Sequence, residues 1–199
     1  PHQRKNKTDE KDARKILKEL RSYVLCQDDQ ADFPSVWVPD HQTRADRELV
    51  RMRLRVGENA AKCKTQIHAW LKVHGVAKPK DMNNWTRAHW DWLVDVAKKC
   101  QPGIERSAQL ALQSYLRQLR ALEKEAGTLE RQIEKLSQTP RYAKPVAALT
   151  DFIGVATLSA MVYLTEMGDL RRFANRRQIG AYLGLVPSQN ESGETNDRK

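Results

Sequence analysis

One stretch of this chain leaves little choice of fold. Leu112, Tyr115, Leu119, Leu122, Ala126, Leu129, Ile133 and Leu136 recur at alternating steps of three and four. Only a helix puts such positions on one stripe. The alternation runs over more than three heptads and has the form of an a/d seam. Glu123, Glu125 and Glu130 flank the stripe, and Gly127 lies off it. The pattern predicts a helix from about Ile104 to Ser137, stopped by Thr139-Pro140.

A seam of that length must be covered. A second helical pattern, from about Arg44 to His74, offers Leu49, Met52, Val56, Ala60, Cys63, Ile67, Trp70 and His74 at the same spacing, with Gly75 as a stop. His74 reads as a seam or cap residue rather than a ligand. Between the two patterns, Trp85, Trp90 and Trp92 cluster between Pro79 and Pro102, and Asn84 could cap a helix running to Cys100. The expected architecture is mainly α: a long antiparallel coiled-coil hairpin with a Trp-rich tip, each arm about 45 Å long at the helical rise. Two core helices of a compact bundle fit less well, because the outer faces are so charged. The second helix could also pair with another protomer, and the seam alone does not choose. The tryptophans, at helical spacing, read as packing the tip, with stacking on nucleic-acid bases as the alternative.

Charge narrows the class of partner. Lys and Arg outnumber Asp and Glu by 35 to 25, a net charge of +10, which favours a polyanion. Cys26, Cys63 and Cys100 are scattered, and His2, His41, His68, His74 and His89 form no ligand motif, so no zinc site is expected. Unpaired cysteines fit a reducing cytoplasm. No apolar run approaches the length of a membrane span, and no signal peptide is visible.

The flanks hold shorter elements. A helix is expected over 9–26, with Ile16, Leu17, Leu20 and Val24 on one face and Thr8 or Asp9 as its cap. A connector over 27–43 contains Pro34, Pro39 and a β-like Val36-Trp37-Val38 run. After Pro140, one helix is expected to start over Val146–Leu149, a second at Thr157–Glu166 and a third at Asn175–Leu183, punctuated by Gly154 and Gly168.

Four groups of residues could carry chemistry. Asp9 and Asp12, three apart, share a helix face and could ligate a divalent cation, or could simply complement the helix dipole. Arg44, Arg47, Arg51 and Arg55 form one stripe, able to follow a nucleic-acid backbone or to pair with Asp46, Glu48 and Glu58 on a solvated face. Arg171, Arg172, Arg176 and Arg177 surround Phe173 as candidate phosphate clamps. The turn Leu149-Thr150-Asp151-Phe152-Ile153-Gly154-Val155-Ala156-Thr157 resembles a helix-hairpin-helix turn, which binds phosphate through backbone N–H groups. A packing turn is the alternative.

The two ends add a family resemblance. The tail reads Arg176-Arg177-Gln178-Ile179-Gly180-Ala181-Tyr182-Leu183-Gly184-Leu185-Val186-Pro187-Ser188, then Gln189-Asn190-Glu191-Ser192-Gly193-Glu194. It resembles the C-terminal domain of the insertion-sequence transposases that pair a DEDD carboxylate signature with a catalytic serine, a family that includes bridge-RNA-guided recombinases. Lys7-Thr8-Asp9-Glu10-Lys11-Asp12-Ala13 looks like that family's Lys-Thr-Asp-x-x-Asp-Ala segment. The matched order of two segments is more specific than either alone.

The resemblance implies much that spacing does not. Asp9 and Asp12 would be the last two of four carboxylates in a RuvC-like, RNase H-type site holding Mg²⁺. Ser192 would be the nucleophile, with Ser188 less well matched. The arginine stripe corresponds to the Arg-rich opening of the helix after the RuvC-like domain. Residues 1–43 would end that domain, 44–138 would form the coiled coil, and 139–199 would begin a small helical transposase domain. The chain would be a segment of a larger protein, inactive alone, whose partners are DNA, a structured guide RNA and further copies in a dimer or tetramer. It would work in the bacterial cytoplasm, at the nucleoid. At the hairpin turn the family pattern is nearer Ile-Pro-Gly-Ile-Gly-x-x-Thr-Ala. Here Asp151, Phe152 and Leu158 replace the Pro, the first Gly and the Ala, while Gly154 and Thr157 are kept. Two rivals need neither Asp9, Asp12 nor Ser192: a non-catalytic nucleic-acid-binding coiled coil, and a purely structural adaptor.

Overall fold

The computed structural model describes residues 9–25, 37–99 and 103–185. These are mainly helical, with no strand among the described residues. Trp37 and Val38 are irregular rather than part of the expected short strand. Val36, like Thr8, Cys26, Cys100, Ser188 and Ser192, lies outside the described residues. The chain divides into two compact units, Pro1–Val38 and Pro39–Lys199.

In the first unit, α1 spans Asp9–Leu25 and buries no residue. Its first turn is acidic, with Asp9, Glu10 and Asp12 facing the positive end of the helix dipole. Ile16, Leu17, Leu20, Tyr23 and Val24 are all exposed.

In the second unit, α2 spans His41–Val73. It begins three residues ahead of the expected Arg44 because Asp40 caps it, accepting from the Thr43 backbone N–H at 2.8 Å and from the Thr43 hydroxyl at 2.7 Å. Those bonds, with Arg141 beside it, hold the Asp40 carboxyl well below the usual carboxylate range. His74 caps the other end, and Gly75 follows at φ 65°, a left-handed conformation that a side chain would strain. A short helix α3 spans Arg87–Lys98, and α4 runs from Arg106 to Ser137.

The two long helices pack together in opposite directions. Arg53 pairs with Glu130, Lys64 with Glu123 at 2.9 Å, and the Trp70 indole N–H donates to the Ala108 carbonyl at 3.0 Å. Partners fall in α4 as they rise in α2, which defines an antiparallel pair. Two of the glutamates flanking the seam thus meet cations of the facing helix.

Two apolar clusters hold this unit. One joins Cys63, Ile67 and Trp70 of α2 with Leu93 and Val96 of α3 and Leu112, Leu116 and Leu119 of α4. The other joins Val50 of α2 and Ile133 of α4 with Tyr142, Val146, Ala160 and Met161. Each fully buried leucine or isoleucine contributes about 2–3 kcal/mol. The seam of α4 lies on the buried side throughout. The seam of α2 departs at one position: Leu49 is half-buried against the second cluster, but Met52 is 47% exposed and Val50, at 1%, is buried instead. The reason is a change of partner, since the start of α2 packs on α6 as well as α4.

At the tip, Thr86 caps α3, two residues beyond the expected Asn84. Trp85 adopts φ 63°, strained for an aromatic residue. Its backbone N–H donates to Nδ1 of the fully buried His89 at 3.0 Å, which fixes that turn. Burial pushes the His89 pKa down.

The remaining helices are α5 (Ala143–Thr150), α6 (Thr157–Met167) and α7 (Arg176–Tyr182), with a single 3₁₀ turn at Leu170–Arg172. Pro145 falls in the first turn of α5, where its missing N–H costs little. Asn175 caps α7 through the Gln178 N–H at 3.0 Å, and the Gln178 side chain accepts from Ala174 N–H at 2.8 Å.

Candidate nucleic-acid interface and catalytic residues

The arginine stripe of α2 splits in two. Arg47 donates to the Thr165 and Glu166 carbonyls at 2.8 and 3.3 Å. Arg51 makes a two-pronged contact with the Glu166 carboxylate at 2.6 and 2.7 Å. Both guanidiniums therefore sit at the C-terminal end of α6, where carbonyls lack helical partners and the dipole is negative. The pairing holds the Glu166 carboxyl below its usual range and raises Arg51. Arg44 and Arg55 are exposed, and no carboxylate among the described residues pairs with them. The acids expected as solvated partners do not serve. Asp46 is buried at 5%, accepting from the Tyr142 hydroxyl at 2.8 Å and from Gln42 at 2.8 Å.

The second arginine cluster divides in the same way. Arg172 is a packing element: its guanidinium lies 4.1 Å from the Phe173 ring centre and 4.5 Å from that of Tyr182, and its Nε donates to the Met167 carbonyl. Arg171 pairs with Asp169 at 3.0 Å yet stays 92% exposed. Arg176 and Arg177 are exposed in the first turn of α7, at the positive end of that helix. Like charge there costs a few tenths of a kcal/mol, roughly, that a bound anion would relieve.

The turn between α5 and α6 is open. Phe152 is 66% exposed and Ile153 fully so, and Gly154 sits at φ 87° with empty space where a Cβ would lie. Thr157 opens α6.

Asp9 and Asp12 lie one turn apart at the exposed start of α1. Two hard oxygen donors on one face suit Mg²⁺, which takes one or two carboxylates and completes its shell with water. No group of three or more His, Cys, Asp or Glu side chains is gathered for a metal among the described residues. Ser192 and Ser188 fall outside those residues, so the structure does not place the serine relative to the carboxylates.

Sequence reasoning missed Glu166, which anchors two arginines from α2. In sequence it is a lone acid near a helix end, and nothing in its spacing points across 115 residues to Arg51. Asp46 was expected on a solvated face, and its buried bond to Tyr142 was missed for a related reason, since only the fold brings Tyr142 over it.

Comparison with known proteins finds insertion-sequence transposases among those that the chain is similar to. Residues 146–199, covering α6, α7 and most of α5, match the model described as the Transposase IS116/IS110/IS902 family. The whole chain is similar to insertion-sequence transposases. It is 31% identical over 192 residues to "Putative transposase y4qE" of Sinorhizobium fredii, which covers 96% of this chain and 42% of that protein. It is 23% identical over 175 residues to the transposase for insertion sequence element IS1533 of Leptospira borgpetersenii, covering 88% and 47%. It is 21% identical over 193 residues to the transposase for IS1111A of Coxiella burnetii, covering 97% and 49%. The chain thus spans a little under half the length of these relatives. No solved structure matches it. Among the described residues, no helix is long and apolar enough to cross a membrane.

Proposed function

We propose that this chain is the part of an insertion-sequence DNA transposase that links a RuvC-like catalytic domain to a serine-bearing transposase domain. The carrying observation is the similarity to a transposase over 96% of the chain. The exposed Arg44, Arg55, Arg176 and Arg177 support it, because they are cations without a paired carboxylate among the described residues.

In this reading α1 is the last helix of the RuvC-like domain, and Asp9 and Asp12 would hold Mg²⁺. The ion would stabilise charge on the phosphoryl oxygens of the reacting DNA. Arg44, Arg55, Arg171, Arg176 and Arg177 hold the DNA backbone by charge-assisted hydrogen bonds. Arg47, Arg51 and Arg172 support them from behind by fixing α6 and α7. The turn at Gly154 acts as a helix-hairpin-helix contact, its bare Cα letting a phosphate approach the backbone. Ser192 is the nucleophile: its Oγ–P bond forms as a strand P–O bond breaks, the serine proton passing through water to the departing strand oxygen, which leaves as a hydroxyl. In rejoining, the hydroxyl of a new strand attacks the same phosphorus, the Oγ–P bond breaks and the serine hydroxyl is restored. The paired long helices form a coiled-coil connector. The carboxylates of one protomer and the serine of another meet in a dimer or tetramer, guided by a structured RNA, in the bacterial cytoplasm.

The test is recombination by the whole protein in Mg²⁺. Asp9→Asn and Asp12→Asn should each abolish it while leaving the thermal unfolding of the protein unchanged. Full activity in either variant would remove the metal assignment.

A further inference from the structure

The tip of the long helices carries a groove that neither the core nor the arginine clusters use. It lies between α3 and α4 and encloses about 350 Å³, a volume within the range of small-ligand sites. Trp90, Val94 and Leu116 form an apolar floor, and Lys98, Arg117 and Arg120 form the rim. No carboxylate lines it among the described residues. Of the acids on the flanking turns, Asp95 pairs with Lys99 and Glu123 with Lys64, while Asp91 is exposed beside Trp90. The Gln113 amide donates to the Ala97 carbonyl at 2.8 Å and locks α3 against α4, so the groove is formed before any ligand arrives.

The tip tryptophans have separate tasks. Trp85 and Trp92 pack on the buried His89, edge-on and stacked respectively. Trp90 lines the groove, half-buried, with the Arg120 guanidinium 5.6 Å from its ring centre. A π-face with Arg120 over it and Lys98 and Arg117 nearby, none of the three ion-paired with a carboxylate among the described residues, has a definite complement: a planar base joined to a phosphate. Duplex DNA keeps its bases inside the stack and would meet only the rim. A lone phosphate has no use for the apolar floor. Lys124, one turn beyond Arg120 and exposed on α4, prolongs the basic track.

We propose that this groove binds unpaired nucleotides of a single nucleic-acid strand, a base stacking on Trp90 while flanking phosphates meet Lys98, Arg117 and Arg120. The site needs no metal and no serine, so it stands or falls apart from the transposase chemistry.

The experiment titrates the 199-residue chain into labelled oligo(dT), oligo(U) and a short DNA duplex across a salt series. The Arg117→Ala/Arg120→Ala variant changes two exposed side chains and should fold as the parent does. It should bind single strands at least about tenfold more weakly, with a salt slope lower by about 1.4, two contacts at about 0.7 each. Duplex affinity should stay within about twofold. Trp90→Leu should weaken single strands by at least about fivefold. Oligonucleotides carrying 5-iodouracil should cross-link to Trp90. The oligo(dT) and oligo(U) arms tell a DNA strand from an RNA strand. Parent protein that ignores single strands, an arginine variant that binds them normally, or equal losses on single strand and duplex would each overturn the site.

Discussion

Arg51 on α2 grips the Glu166 carboxylate on α6 with two hydrogen bonds, at 2.6 and 2.7 Å, and so ties the first half of the long helix to the C-terminal end of α6. Because the guanidinium holds the Glu166 pKa below its usual 4.5, the link depends on pH with a definite sign. Its contribution is fully present above that value and is lost as pH falls through the depressed folded-state pKa. Half of the Arg51 side chain is exposed, so solvent limits the pair to about 1 kcal/mol. Urea midpoints measured at pH 7 and pH 3.5 should therefore drop less in Arg51→Ala than in the parent. An equal drop in both would remove the linkage.

Tyr142 and Asp46 make the buried counterpart of that link. Burial and the bond to Asp46 push the Tyr142 pKa up to about 12. The protonated phenol is the form the fold prefers, so its contribution is complete below pH 10 and fades as pH rises through about 12. A spectrophotometric titration should show one tyrosine ionising near that upper value and missing in Tyr142→Phe. The same variant leaves a buried carboxylate short of a donor and should cost about 1–3 kcal/mol. Stability equal to the parent would mean that water replaces the hydroxyl.

Leu119 and Met52 separate what the sequence made legible from what it hid. Both belong to apolar stripes at helical spacing, yet Leu119 is fully buried and Met52 is 47% exposed. Leu119→Ala should cost about 3 kcal/mol and Met52→Ala under about 0.5 kcal/mol, read from denaturant midpoints. Similar costs would contradict the observed rotation of the α2 stripe.

That contrast shows why the long helices could be read and their details could not. A period of three and four is local, so α4 and the end of α2 declared themselves, as did the starts of α6 and α7 through Thr157 and Asn175. The turning of α2 toward α6 depends on residues more than 100 positions away, and no local pattern encodes it. Polar chemistry was least legible. Arg47 and Arg51 look identical in sequence to Arg44 and Arg55, and only the nearby end of α6 separates clamps from free cations. The carboxylates Asp9 and Asp12 were visible through a motif, and the structure gives their helix and exposure, with no third His, Cys, Asp or Glu gathered beside them among the described residues.

Gly154 isolates a backbone effect. Nothing lies within 4 Å of where its Cβ would stand, but its φ of 87° is one that L side chains rarely adopt. Gly154→Ala should lower stability by about 1–2 kcal/mol from strain alone, with no steric clash. Differential scanning calorimetry checks this. An unchanged melting temperature would show that the turn relaxes to negative φ.

The nucleophile is the heart of the proposal, and trapping it is the most direct measurement. The whole protein is incubated with its element-end DNA and Mg²⁺, quenched in denaturant, and digested for peptide mapping of any covalent adduct. A serine hydroxyl is a weak nucleophile that needs neighbouring positive charge, which Arg171, Arg176 and Arg177 can supply. The expected result is a DNA adduct on the peptide holding Ser192, absent in Ser192→Ala although that variant binds DNA with unchanged affinity and salt dependence, and retained in Ser188→Ala. An adduct that maps to Ser188, or one that persists in Ser192→Ala, would contradict the assignment.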